Sequence, residues 1–128
     1  MADASPRITL VDDDRESREF LSLALSMEGF AVHTAANGLR LIALLKINRP
    51  DVILLDVNMS WIDGFELCRA VKRNEEFGDI PVIFITGRTS PEDRRRGLEV
   101  GAVGYFTKPV DTGALVAEIR SLLAPAKV

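Results

Sequence analysis

The chain has 128 residues, 47% of them hydrophobic, and a net charge of −3, which fits one domain with a buried core and gives no reason to expect direct binding to nucleic acid. Cys68 is the only cysteine, so an intrachain disulfide is excluded and a reducing compartment such as the cytoplasm fits. The polar N-terminus is not a signal peptide, and no apolar run approaches the ~18 residues of a membrane span.

Five short apolar runs rich in β-branched residues are predicted to be strands, at 7–12, 29–34, 51–56, 80–86 and 103–107. Each is followed by a segment of helical character. Apolar stripes mark three of these helices, formed by Phe20, Leu21, Ala24 and Leu25, by Leu41, Ile42 and Leu45, and by Leu115, Ile119 and Leu122. The alternation predicts a doubly wound α/β fold, in which helices cover both faces of a five-stranded parallel sheet.

Local signals also mark helix ends. Asp14, Asp63 and Ser90 are predicted to cap the first, third and fourth helices. Gly29 and Gly101 are predicted to end the first and the fourth.

Polar residues follow the predicted strands where each strand ends. They are Asp12 and Asp13 after the first strand, Asp56 after the third, Thr86 after the fourth, and Lys108 with Pro109 after the fifth. Ligands of open α/β sheets bind beyond the carboxyl ends of the strands, so we expect these side chains to share one site.

Three neighbouring carboxylates would repel one another, and a hard divalent cation resolves that conflict. Mg²⁺ prefers oxygen ligands and keeps positions free for a phosphate oxygen. An aspartate beside such a metal can attack phosphorus and become an aspartyl phosphate, whose new charge Lys108 and Thr86 would stabilise. The pattern predicts a phosphoryl-transfer site.

The segment 51–64 contains three aspartates with different expected roles. Asp51 stands at the entrance of the third strand, on the opposite edge of the sheet, and Asp63 is better explained as a helix cap. Asp56 ends an apolar strand, where a charge without a purpose is costly, and it is the predicted nucleophile.

The segments "LVDDD", "VILLDVNM", "IFITG" and "GYFTKP", in this order and spacing, resemble the receiver domain of two-component response regulators over about residues 6–124. The resemblance implies a flavodoxin-like (βα)5 fold with strand order 2-1-3-4-5 and a single domain over residues 1–128. It implies a cytoplasmic signalling module that catalyses only its own phosphorylation and dephosphorylation. Its partners would be a histidine kinase or phosphotransfer histidine and a downstream protein or attached output domain.

The resemblance also assigns roles to the residues of the acceptor side. Asp56 would be the phosphoacceptor. Asp13 would bind Mg²⁺ directly, Asp12 largely through water, and Asn58 through its backbone carbonyl.

Further roles fall on the fourth and fifth strands. Lys108 would contact the phosphoryl oxygens, and Pro109 would follow a cis peptide bond. On activation Thr86 would move to the phosphoryl group and Tyr105 would turn inward, changing the face formed by the fourth helix, fifth strand and fifth helix.

Some positions depart from the family pattern. Ser60 replaces a common proline and Gly87 a common alanine. Arg88 either contacts the phosphoryl group or is a solvated loop residue. A homodimer formed on phosphorylation is left open, since Asp93 and Glu99 are compatible with the dimer of winged-helix regulators whereas Val103, Gly104 and Glu118 are not.

Three alternatives compete with this interpretation. A phosphoaspartate hydrolase would need a second aspartate as general acid where this chain has Asn58. A flavodoxin-like cofactor carrier would need a phosphate-cradling loop where this chain has three aspartates at 12–14. A pseudo-receiver, a scaffold that is never phosphorylated, is the third.

Other conspicuous residues have structural explanations. Cys68 is predicted to be a packed thiol, and the arginines of "DRRRG" (93–97) a solvated face or a partner surface. His33 lies in the second strand, away from the site edge. Trp61 either reports on the site by fluorescence or covers the core.

Overall fold

The computed structural model describes residues 5–124, which alternate between five strands and five helices. The strands are β1 (Arg7–Val11), β2 (Ala31–Ala35), β3 (Val52–Leu55), β4 (Val82–Thr86) and β5 (Gly104–Thr107). The helices are α1 (Arg15–Met27), α2 (Gly38–Ile47), α3 (Gly64–Arg73), α4 (Pro91–Glu99) and α5 (Thr112–Leu123).

All strand pairs are parallel and the order is β2-β1-β3-β4-β5, which confirms the predicted fold and strand order. The order reverses at β1, which has β2 on one side and β3 on the other. Val11 at the end of β1 is in register with Leu55 at the end of β3. The residues that follow these two strands therefore emerge side by side at the edge where open α/β sheets bind ligands.

The sheet separates two buried apolar clusters. One face is covered by α1 and α5, which contribute Leu21, Leu25, Leu115 and Ile119. The other is covered by α2, α3 and α4, and its cluster also contains Phe84 and Tyr105 from β4 and β5. The strands β3 and β4 are buried along their whole length. Because helices cover both faces of the sheet, both sides of these strands are buried, which explains why their sequences are continuously apolar.

The helix ends agree with the local signals. Asp14, Asp63 and Ser90 each accept a hydrogen bond from the backbone N–H three residues ahead, which confirms them as caps. Gly29 and Gly101 follow α1 and α4 with φ of 96° and 106°, values that glycine adopts without strain.

Two expectations about the core were wrong. Phe20 is 63% exposed and Ile42 is 48% exposed, because the buried stripes of α1 and α2 are narrower than their apolar sequence. The second and fourth strands begin later than predicted, at Ala31 and Val82.

Across residues 5–124, none of the helices combines the length and the apolar character that crossing a bilayer requires.

Candidate functional site

Lys108 joins two buried carboxylates at the carboxyl edge of the sheet. Its Nζ lies 2.7 Å from Asp12 Oδ2 and 2.8 Å from Asp56 Oδ2. Asp12 and Asp56 are 1% and 5% exposed, respectively. Burial lowers the pKa of Lys108, but the hydrogen bonds and charges of the two aspartates outweigh it and hold that pKa above its usual value. The ammonium is therefore charged and fixed between the ends of three strands.

The carboxylate of Asp56 is held at both oxygens. Its Oδ2 accepts from Lys108, and its Oδ1 accepts from the backbone N–H of Asn58 at 3.1 Å. The backbone of Asp56 is fixed as well, since its N–H donates to the carbonyl of Val11. Asp56 is therefore fixed beside Lys108 at the carboxyl edge of the sheet, where its position after β3 placed it.

The start of α3 lies directly against Asp56. A Cβ at Gly64 would lie 2.8 Å from Val57 Cα and closer still to the carbonyl oxygen of Asp56. The Gly64 N–H also donates to the carbonyl of Val57 at 2.8 Å. Glycine is required here for close approach of two backbones, a role that the sequence did not reveal.

Asp13 follows Asp12 in the chain and is exposed, and Asp12 Oδ1 accepts the Asp14 N–H at 2.9 Å. Among residues 5–124, no three His, Cys, Asp or Glu side chains converge closely enough to hold a metal. Mg²⁺ does not need such a cluster, because it takes one or two carboxylates and completes its shell with water and phosphate. The two buried carboxylates of Asp12 and Asp56 are hard oxygen donors of the type that fits this ion.

Thr86 is fully buried at the end of β4. Its Oγ1 accepts the Arg88 N–H at 3.3 Å, and its carbonyl accepts the Lys108 N–H at 2.8 Å. The Lys108–Pro109 peptide bond is cis, as the resemblance implied. The Thr86 hydroxyl and the Lys108 ammonium thus come from the ends of two neighbouring strands, which a backbone hydrogen bond joins.

Arg88 is an exposed loop residue whose guanidinium also contacts two side chains. Its Nε lies 2.9 Å from Asn58 Oδ1, and its Nη1 lies 3.4 Å from Asp93 Oδ1. The contact with Asn58 brings a guanidinium to the residue that touches Asp56. The sequence placed Arg88 near the site but did not predict these partners, which depend on how α4 sits against the loop after β3.

Tyr105 already lies inward. It is 7% exposed, and its hydroxyl donates to the carbonyl of Arg88 at 2.9 Å. Arg94 covers the ring from outside, with Cζ 5.1 Å from the ring centroid and Nη1 3.0 Å from the Tyr105 carbonyl. Burial, followed by the nearby charge of Asp93, raises the pKa of Tyr105.

The remaining residues singled out in the sequence divide clearly. Asp51 is exposed and accepts the Arg7 N–H. The Nε2 of His33 lies 3.0 Å from the Asn48 side chain. Asp51 and His33 therefore have partners away from Asp56. Cys68 is fully buried, which confirms a packed thiol.

Of the two roles left open for Trp61, covering the core is excluded, because the residue is 92% exposed; its φ is 79°. The arginines 94–96 are exposed, as predicted for a solvated face. Arg96 also lies 4.7 Å from the ring centroid of Phe65, as Arg94 lies over the ring of Tyr105.

Comparison with known proteins identifies relatives over nearly the whole chain. The family model for the response regulator receiver domain matches residues 8–120. A protein named response regulator MprA from Mycobacterium sp. (strain KMS) is 41% identical over 91% of this chain and 50% of its own length. A protein of Synechocystis named DNA-binding dual master transcriptional regulator RpaA is 37% identical over 92% of this chain and 49% of its own length. The chain spans about half the length of these relatives.

Solved structures match over their full length. The chemotaxis protein CheY4 of Vibrio cholerae superposes with a TM-score of 0.86 at 35% identity, covering 94% of this chain and 100% of that one. A response regulator from Chloroflexus aurantiacus superposes with a TM-score of 0.89 at 30% identity, covering 94% of this chain and 99% of that one.

Proposed function

The chain belongs to the response regulator receiver domain family, and we propose that it accepts a phosphoryl group on Asp56 and changes its output face in response. Receivers of this family take their signals from histidine kinases. The observation that best supports the proposal is the hydrogen bonding of Lys108 Nζ to both Asp12 and Asp56, which joins three strand ends at two buried carboxylates.

In the proposed reaction, a carboxylate oxygen of Asp56 forms the new O–P bond while the N–P bond of a phosphohistidine breaks. The electron pair of that bond returns to the imidazole nitrogen. Lys108 and the Thr86 hydroxyl donate hydrogen bonds to the phosphoryl oxygens as charge develops. Hydrolysis returns the site to its unphosphorylated state. Water attacks phosphorus, the O–P bond to Asp56 breaks, and Asp56 leaves as a carboxylate while inorganic phosphate is released. No separate substrate is turned over.

The residues that would hold Mg²⁺ are Asp13, Asp56, the backbone carbonyl of Asn58 and, through water, Asp12. When bound, the ion would neutralise the charge of the carboxylates and of the incoming phosphoryl oxygens. Lys108 keeps Asp12 and Asp56 from repelling each other before that happens.

The output would pass through the face formed by α4, β5 and α5. Thr86 and Tyr105 connect this face to the site, since the N–H of Arg88 donates to the Thr86 hydroxyl oxygen and the carbonyl of Arg88 accepts from Tyr105. The downstream partner would be a separate protein or an attached output domain. A second copy of the chain is an alternative partner for the same face.

The test is phosphorylation by a small acyl phosphate with Mg²⁺, read by intact mass. We expect one base-labile phosphate adduct, its loss in Asp56→Asn, and its retention in Asp51→Asn, which makes the same change at the other end of the same strand. No adduct in the wild type would support the pseudo-receiver instead. An undiminished adduct in Asp56→Asn would contradict the assignment of the acceptor.

A further inference from the structure

Arg88 connects two parts of the chain that the proposed reaction leaves separate. Its Nε contacts Asn58 in the loop after β3, and its Nη1 contacts Asp93 in the first turn of α4. The contacts lie at 2.9 Å and 3.4 Å and involve different nitrogens of one guanidinium. The planar arginine head group, with donors in a fixed fork, can hold two acceptors at once in a way that a lysine ammonium does not reproduce.

The Asn58 end of this link bears on the acceptor. The backbone N–H of Asn58 donates to Asp56 Oδ1, and its side-chain oxygen accepts from Arg88. Asn58 is otherwise exposed. A hold on its side chain therefore restricts the residue whose backbone lies beside Asp56.

The Asp93 end is firmly placed. Asp93 Oδ2 accepts from the Ser90 hydroxyl at 3.0 Å, and the Asp93 N–H donates back to that oxygen at 3.1 Å. This reciprocal pair holds the first turn of α4 together. The carbonyl of Arg88 also accepts from Tyr105, so the backbone that carries the guanidinium is fixed too.

We propose that Arg88 is a positioning residue, which holds Asn58 in place beside Asp56 by tying it to the first turn of α4. The proposal rests on the function proposed above, because it concerns the same metal and acceptor site. Coupling between two sites is reciprocal, so the binding of Mg²⁺ near Asn58 also stabilises the present position of α4. The route runs through the Arg88 side chain to Asn58 and Asp93, whereas the hydroxyls of Thr86 and Tyr105 contact the Arg88 backbone.

A double-mutant cycle on Mg²⁺ affinity, measured by calorimetry, tests this link. We expect Arg88→Lys, which keeps the charge, and Asp93→Ala to weaken Mg²⁺ binding by about threefold each, the size expected for a partly exposed pair. The double variant should bind Mg²⁺ as the single variants do, because both changes break the same link. Glu92→Ala removes the same charge from the same turn and should leave the affinity within about 1.5-fold.

Three outcomes would overturn the proposal. If Arg88→Lys binds Mg²⁺ as the wild type does, the guanidinium has no role beyond its charge. If the losses of Mg²⁺ affinity add in the double variant, Arg88 and Asp93 act independently. If Glu92→Ala loses as much Mg²⁺ affinity as Asp93→Ala does, Asp93 acts only through its charge. Phosphorylation by a small acyl phosphate gives a further separation. At saturating Mg²⁺ the rate of Arg88→Lys should return to the wild-type rate, whereas a persistent defect would make Arg88 a catalytic residue that touches the phosphoryl group.

The two proposals fail in different ways. A wild type that binds Mg²⁺ but takes no phosphoryl group overturns the proposed function and leaves the affinity cycle intact. A wild type that is phosphorylated but shows no coupling between Arg88 and Asp93 overturns the positioning role alone.

Discussion

The ring of Tyr105 packs against Gly97 at a distance that leaves no room for a side chain. A Cβ at Gly97 would lie 2.9 Å from Tyr105 Cδ2 and 3.1 Å from Phe84 Cδ2. Gly97 is buried in the last turn of α4, within a helix, where glycine is otherwise a poor choice. The inward position of Tyr105 therefore depends on a missing methyl group in the neighbouring helix.

Gly97→Ala should displace Tyr105 or α4. We expect a net loss of about 1–2 kcal/mol in the free energy of unfolding, although alanine gains about 0.5–1 kcal/mol of helix propensity over glycine. Tyr105 is the only tyrosine, so its absorbance titration reports its environment directly, and its raised pKa should fall towards the ordinary value. Gly87→Ala is the control for stability, since a Cβ there meets nothing within 4 Å. A stabilised Gly97→Ala with an unchanged titration would contradict this account.

Trp61→Gly should stabilise the protein. Its φ of 79° is unfavourable for a residue with a side chain, and an indole that is 92% exposed contributes little packing. We expect a gain of about 0.5–1 kcal/mol in urea unfolding. Trp61→Ala keeps the strain and loses the same indole, so it should show no gain. Equal effects of the two substitutions would show that the backbone conformation is not the cause.

Lys108→Met should destabilise the protein in the absence of Mg²⁺. Two buried carboxylates would lose their shared cation. We expect the free energy of unfolding, measured in urea at pH 8, to fall by about 1–3 kcal/mol. Because the folded pKa of Lys108 is raised above 10.5, its contribution is complete below pH 10.5 and is lost as pH rises through the folded value.

Added Mg²⁺ should restore part of that loss, so the variant should gain more stability from the ion than the wild type does. Lys46→Met, at an exposed lysine of α2, controls for the removal of one positive charge. If Lys108→Met were as stable as the wild type without the ion, the two carboxylates would not need the ammonium for their burial.

The thiol of Cys68 should make stability fall at alkaline pH. Burial raises its pKa to about 11 from 9.0, so between these values the unfolded chain releases a proton that the folded chain retains. The sign is therefore a loss of stability with rising pH, by up to about 2–3 kcal/mol across the interval. Cys68→Ala should show a correspondingly smaller decline in urea unfolding between pH 9 and pH 11. Parallel curves for the two proteins would exclude this cause.

The sequence predicted the helices and strands from local patterns, and the family resemblance supplied the strand order. Helix caps such as Asp63 require only a backbone N–H three residues ahead. Parallel strands bring their carboxyl ends to one edge, so the residues after β1 and β3 had to meet. The strand order that the resemblance implied sets β1 beside β3, so Asp12, Asp56 and Lys108 were expected at one edge before any side-chain contact was known.

The contacts of α4 did not follow from such rules. Arg94 and Arg96 lie over the rings of Tyr105 and Phe65, respectively. Both rings lie outside α4, and helical periodicity relates only residues three or four positions apart in one helix. Their partners depend on the distance and rotation of α4 against the sheet, and the bare backbone at Gly97 contributes to both. The same dependence hid the contact between Arg88 and Asn58.

The bond between Lys108 and Asp12 spans 96 residues of chain. During synthesis, Asp12 and Asp56 leave the ribosome well before β5 and the residue that neutralises them. A nascent chain that ends before β5 carries the acidic pair without its ammonium, and its sheet also lacks the last strand. Under the proposed function, the chain would accept a phosphoryl group on Asp56 only after β5 and Lys108 have been translated.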